Sequence, residues 1–228
     1  MQTVFGGRVR SPAKRFEKEL VRGWLHEPDL TPAAPRSRAI VLTHGAGSSC
    51  EAPLLKAAAE VLAEAGYWTL RCDLAFRQEG RHGPFKAFQA RDREGIRRAA
   101  EELRKVAPGS LYLGGHSYGG RQSTMLAAEQ PDVADALLLM SYPLHPTRQP
   151  ASLRVEHFPA LRTPALFVHG TRDPFGSIEE MREALQLIPA RTRLVEVQAA
   201  AHGLSPAVTG SLPLWFGEFL ETAGLKSA

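Results

Sequence analysis

The apolar and polar positions of this chain switch repeatedly between two spacings. Short, largely apolar runs occupy Ala39 to Thr43, Tyr67 to Cys72, Leu111 to Leu113, Ala136 to Met140, Ala165 to His169 and Arg193 to Val197. Runs of this length bounded by turn residues read as strands, and Ala39 to Thr43, Ala136 to Met140 and Ala165 to His169 as buried ones. Between them, apolar residues recur every three or four positions. Pro53 to Ala65 sets Leu54, Leu55, Ala58, Val61 and Leu62 at helical spacing before Gly66 closes it, and Phe85 to Val106, Tyr118 to Gln130, Ser177 to Ile188 and Leu212 to Leu220 read the same way. Glu19 to His26 mixes apolar and charged residues like an edge strand, Pro28 to Pro35 is a Pro-rich connection, and Asp73 to Pro84 is a loop. This alternation predicts an α/β fold: a mostly parallel, twisted sheet with helices on both faces and functional loops at the strands' carboxyl ends.

One strand-to-helix junction carries more than pattern. Leu111 to Leu113 runs directly into Gly114-Gly115-His116-Ser117-Tyr118-Gly119-Gly120, and a helical pattern follows at once. Gly-x-Ser-x-Gly in this setting is a nucleophile elbow, a tight turn that lifts a serine hydroxyl from the sheet edge and needs small residues on either side. Serine also caps helices, so the assignment rests on what other strand ends supply. Asp173 follows the strand ending at His169, and His202 lies five residues beyond Val197, before the final helix. The order Ser117, Asp173, His202 is the one expected of such a sheet. An imidazole can take the serine proton, and a carboxylate can fix its tautomer and stabilise the imidazolium. The oxyanion is expected to be held by the backbone N–H groups of Tyr118 and of Ala46, in the loop His44-Gly45-Ala46-Gly47. His44 is read as a brace for that loop, and His116 and His169 as structural.

Together, these four segments resemble the α/β-hydrolase superfamily, in its small branch similar to dienelactone hydrolases and carboxylesterases. The resemblance spans Val21 to the last helix and rests on His44 to Gly47, Gly115 to Gly120, Gly170-Thr171-Arg172-Asp173 and Ala201-His202-Gly203. It implies hydrolysis of small esters or related acyl compounds through a Ser117 acyl-enzyme, with no metal and no cofactor. Dienelactone hydrolases commonly carry a cysteine where this chain has Ser117, so lactone chemistry does not follow. The alternative on the same fold is a catalytically silent binding or scaffold domain.

Length and composition then narrow the picture. The 228 residues, 43% hydrophobic, suit one domain over residues 1–228, with 1–18 a flexible or edge-strand segment. No apolar run approaches a signal peptide or membrane span, and the two cysteines, Cys50 and Cys72, do not form a disulfide framework, so a cytoplasmic protein is expected. A Cys50–Cys72 link is geometrically conceivable. Net charge is +4, and the basic residues alternate with acids along helices, which argues against a nucleic-acid surface. The partner expected is a small-molecule substrate, and the oligomeric state is left open.

Only about two dozen residues separate Met140 from the next strand, too few for a large cap. The open pocket is expected to be walled by Phe76, Phe85, Tyr142, Leu144, Phe175 and Leu204. Arg77, Arg81, His82, Arg121 and Arg172 fall near the same face and suggest an anionic ester, surface arginines being the plainer reading.

Overall fold

The computed structural model describes residues 12–28 and 37–225. Most of the expected Pro28 to Pro35 connection, and residues 1–11 of the N-terminal segment, lie outside the described residues. Eight strands form one sheet: β1 (Lys14–Lys18), β2 (Val21–His26), β3 (Ser37–Thr43), β4 (Tyr67–Cys72), β5 (Gly109–His116), β6 (Ala136–Met140), β7 (Ala165–Gly170) and β8 (Thr192–Val197). The helices are α1 (Pro53–Glu64), α2 (Ala75–Gln78), α3 (Gln89–Val106), α4 (Tyr118–Glu129), α5 (Ile178–Leu185) and α6 (Leu212–Thr222). The strand order is β1-β2-β4-β3-β5-β6-β7-β8; β1/β2 and β2/β4 are antiparallel and all other pairs parallel.

The apolar strand runs serve two cores because successive side chains point to opposite faces. Ile40, Leu42, Leu138, Leu166 and Val168 pack with Leu54 and Leu62 of α1 and Phe216 and Phe219 of α6. Their neighbours Ala39, Val41, Leu137, Leu139 and Phe167 face the other way, against Ile96 and Leu103 of α3, Leu126 of α4 and Met181 of α5. This is why these strands read as continuous apolar runs rather than as alternation.

Four features differ from the expectation. Val21–His26 is an inner strand, because β1 pairs along it with Lys14 opposite Leu25; the edge belongs to β1, whose exposed charges suit that position. The loop after Asp73 contains the short helix α2, and α3 begins at Gln89 because Lys86–Phe88 forms a tighter 3-10 turn. Finally, β5 reaches from Gly109 to His116, beyond the apolar triplet, because its glycines carry no hydrophobic signal.

The topology sets the site's location. From β3 the chain moves to β4 on one side, then returns to place β5 on the other. The crevice outside the carboxyl ends of β3 and β5 is therefore a topological switch point, where open α/β sheets bind ligands. Among the described residues, no helix is long and apolar enough to cross a membrane.

Candidate active site

Ser117 lies between β5 and α4 with φ +53° and ψ −117°, a strained combination for a residue with a side chain. The turn is held from below by its N–H, which donates to the Met140 carbonyl at 2.9 Å. Gly119 makes it possible: its N–H donates to the His44 carbonyl at 3.1 Å, and a Cβ there would sit 2.5 Å from Thr43 Oγ1 and 2.7 Å from that carbonyl. Only a residue without a side chain lets α4 start this close to the loop after β3.

Ser117 Oγ and His202 Nε2 are 2.8 Å apart, and His202 Nδ1 lies 2.8 Å from Asp173 Oδ2. The Asp173 side chain is fully buried, and its Oδ1 also accepts from the Phe175 N–H at 2.9 Å. An acceptor at Nδ1 assigns the imidazole proton there, so Nε2 presents a lone pair to the serine hydroxyl. Such a chain can pass a proton from hydroxyl to imidazole while a carboxylate stabilises the resulting cation. The Phe175 ring lies over His202 with centroids 4.2 Å apart, restricting its tilt.

The loops carrying Asp173 and His202 are tied to each other. Arg172 N–H donates to the Ala200 carbonyl at 2.9 Å, Thr171 N–H to Val197 at 3.0 Å, and Ala199 N–H to Thr171 Oγ1 at 2.9 Å. Gly170 permits this closeness, since a Cβ there would collide with the Ala200 carbonyl.

Three other histidines, His44, His116 and His169, occupy bracing positions. His44 is fully buried; its Nε2 accepts from the Leu74 N–H at 3.1 Å, so Nδ1 carries the proton and donates to the Gly45 carbonyl at 2.8 Å. His116 Nε2 donates to the His202 carbonyl at 2.9 Å, and burial lowers the pKa of His116. His169 Nε2 donates to the Gly176 carbonyl at 2.8 Å, and burial lowers its pKa too.

A cavity of about 910 Å³ opens over Ser117 and His202. Ala46 and Tyr118 line it next to the serine, Ala46 in a turn closed by Ser48 N–H donating to the Gly45 carbonyl at 3.1 Å. Of the expected walls, Phe175 and Leu204 line the cavity. Phe76, Tyr142 and Leu144 do not, because each turns inward to the core: Phe76 packs edge-on against Tyr118 and His44, Tyr142 against Phe158 and Phe167, and Leu144 against Gly176. Arg77 also lies off the cavity, its guanidinium donating to the Arg81 carbonyl, and Phe85 is exposed. Leu54 and Leu55 of α1 and Arg154 also line the cavity and were not foreseen. The α1 periodicity could have exposed the first two, since a helix that begins beside the oxyanion loop turns its first apolar residues towards it.

Neither cysteine is linked: Cys50 and Cys72 are free and buried. Among the described residues, no group of three or more His, Cys, Asp or Glu side chains is arranged to hold a metal ion.

Comparison with known proteins agrees with this architecture. A dienelactone hydrolase from Anabaena variabilis superposes with a TM-score of 0.73 at 22% identity, over 92% of this chain and 97% of its own. Est1E from Butyrivibrio proteoclasticus gives 0.71 at 18% identity over 92% and 100%, and a Xanthomonas campestris serine hydrolase without a lid gives 0.67 at 17% over 95% and 96%. At these identities the likeness is one of fold. The model of an alpha/beta hydrolase domain matches residues 36–212, most of the sequence. The chain therefore belongs to the α/β-hydrolase family.

Proposed function

We propose that this protein is a serine hydrolase that cleaves small carboxylic esters or related acyl compounds. The observation carrying this reading is the continuous hydrogen-bonded line from Ser117 Oγ through His202 to Asp173, each contact at 2.8 Å. Family membership and the open cavity support it.

In this mechanism Ser117 Oγ attacks the acyl carbon as its proton moves to His202 Nε2. Asp173 keeps the other imidazole proton on Nδ1 and stabilises the cation. The carbonyl oxygen, now negative, is held by the main-chain N–H groups of Ala46 and Tyr118. The tetrahedral intermediate collapses: the C–O bond to the alcohol breaks, the alcohol leaves with the proton from Nε2, and an acyl-Ser117 ester remains. Water then attacks that ester, giving its proton to Nε2, and the second collapse returns the proton to Ser117 and releases the acid. Four hydrogen bonds between backbone, carboxylate and imidazole groups preset this geometry: those of Gly119, Phe175, Arg172 and His116 described above. No group need be recruited during turnover.

Labelling with a fluorophosphonate probe tests the reading. Covalent modification of the native protein that disappears in Ser117→Ala is expected. Absence of Ser117-dependent labelling overturns the proposal and leaves a binding domain on a hydrolase fold.

A further inference from the structure

We infer that Arg121 and Arg154 form an anion subsite beside Ser117, which receives a carboxylate carried by the substrate ester. This deepens the serine hydrolase reading and rests on it for the fate of the bound ligand. The subsite itself rests on other observations.

Apart from the reacting groups, the charged side chains lining the cavity are two arginines; no aspartate, glutamate or lysine lines it among the described residues. Arg121 is one helical turn beyond Ser117, its N–H donating to the Ser117 carbonyl at 3.0 Å. Arg121 lies in the first turn of α4 and lines the same cavity as Ser117. The Arg121 Nε is buried and has no hydrogen-bond partner. A buried donor on a permanent cation is a poor arrangement unless some acceptor completes it.

Arg154 approaches from the loop after β6. Among the described residues, its guanidinium donates only to a neutral acceptor, the Pro143 carbonyl at 3.3 Å, and its own carbonyl is held by the Tyr142 hydroxyl at 2.7 Å. The buried Tyr142 thus fixes where Arg154 begins. The acid acting on Arg154 is Glu156, exposed and beyond ion-pair distance.

This contrasts with several arginines on and beside α3. Arg93 and Arg98 on α3 pair with glutamates, as do Arg81 and Arg91 beside it. Arg121 and Arg154 face each other's charge instead. Burial, then Arg121, lowers the pKa of Arg154, and burial followed by Arg121 and Arg93 takes His157 down to about 4. Among the described residues, no carboxylate lies within ion-pair distance of either guanidinium. A carboxylate would supply acceptors to both guanidinium forks in the planar geometry that arginine matches best.

The arginines near this face at the level of sequence divide accordingly. Arg77 and Arg81 bond or pair locally, Arg172 is exposed, and His82 is exposed, so only Arg121 of that group reaches the cavity.

Two esters differing only in this charge provide the test: monomethyl glutarate, a carboxylate, and dimethyl glutarate, its neutral counterpart. Turnover is followed by pH-stat in wild type, Arg121→Gln, Arg154→Gln and Arg121→Lys, with thermal melts to establish folding. The ratio of kcat/KM for the monoester to that for the diester should fall tenfold or more in both Gln variants and less in Arg121→Lys. A ratio within threefold of wild type in every folded variant overturns the subsite.

A second readout does not need turnover. In the Ser117→Ala background, calorimetry should give a Kd for monomethyl glutarate that weakens tenfold or more on adding Arg121→Gln or Arg154→Gln. Arginine-independent binding, or no binding, overturns the subsite. Arginine-dependent binding without hydrolysis by the wild type supports the subsite and sinks the hydrolase reading, whereas hydrolysis with an unchanged ratio does the reverse.

Discussion

Replacing Tyr118 by Phe removes one oxygen atom and leaves its buried partner behind. The Tyr118 hydroxyl donates to Asp92 Oδ2 at 2.7 Å, while Asp92 Oδ1 accepts from the Phe76 N–H at 3.1 Å. Asp92 is fully buried. The phenyl ring of the variant keeps its packing against Phe76, so no cavity term enters and the loss is that of one charge-assisted hydrogen bond. Bonds of this kind contribute roughly 1.5–3 kcal/mol, and about 2 kcal/mol is expected here. For a chain of this size that corresponds to a fall in Tm of roughly 4–8 °C.

The loss should also depend on pH. Burial pushes the Asp92 carboxyl up from its ordinary value, against the pull of the bonds from Tyr118 and Phe76. Between the unfolded and the folded pKa the folded chain holds a proton that the unfolded chain has lost, and above the folded pKa the bond from Tyr118 is charge-assisted. This group's contribution is full below the unfolded pKa and is lost as pH rises through the folded one. Removing the Tyr118 donor raises the folded pKa further, so the Tyr118→Phe deficit grows with pH. Urea unfolding followed by circular dichroism at acidic and at neutral to alkaline pH measures both effects. In an Asp92→Asn background, which carries no charge, the same substitution should cost less. A loss below about 0.5 kcal/mol at every pH, or a deficit that shrinks as pH rises, would refute the assignment of this bond as charge-assisted.

Four further outcomes are expected. His202→Ala and Asp173→Asn should each lower kcat on a p-nitrophenyl ester on the order of 10³-fold or more, since such groups act as a unit; unchanged rates would remove that residue from the mechanism. Gly119→Ala should destabilise by about 1–3 kcal/mol or more, through collision with Thr43 and the His44 carbonyl, and abolish labelling of Ser117; a wild-type melt with full labelling would show that the elbow tolerates a side chain. The thiols should resist DTNB in the native state and react in guanidinium, because burial raises both pKa values, that of Cys50 to about 12; rapid native reaction contradicts this. Across p-nitrophenyl esters, kcat/KM should peak at acetate to butyrate, because among the described residues no helical lid covers the cavity; a maximum at octanoate would contradict an open pocket.

The frame of the site was legible because two local signals coincided. Apolar runs located the ends of β5, β7 and β8, and the chemistry-bearing residues Ser117, Asp173 and His202 stood just past them. The walls were not legible because nearness to a strand end does not say which way a side chain turns. Phe76 and Tyr142 both follow strands closely, yet bury their rings under the site. Arg154 gave the opposite error: it lies in an irregular stretch with no period to read, and reaches the cavity because a tyrosine twelve residues earlier holds its carbonyl. Likewise, β2 looked like an edge because its outer partner, Lys14–Lys18, is mostly charged.

The strand that leads to His202 has its own consequence. Among the described residues β8 is the last in the sheet and pairs with β7 alone, and none of its residues is fully buried. Edge elements open at lower free energy than the core. Detachment of β8 would carry the base away from Ser117, 85 residues earlier in the chain, while β3, β5 and the serine turn stayed folded. Reactivity of Ser117 towards a fluorophosphonate then reports the docking of one border strand. On heating it should fade before the bulk circular dichroism signal moves, and on refolding return last.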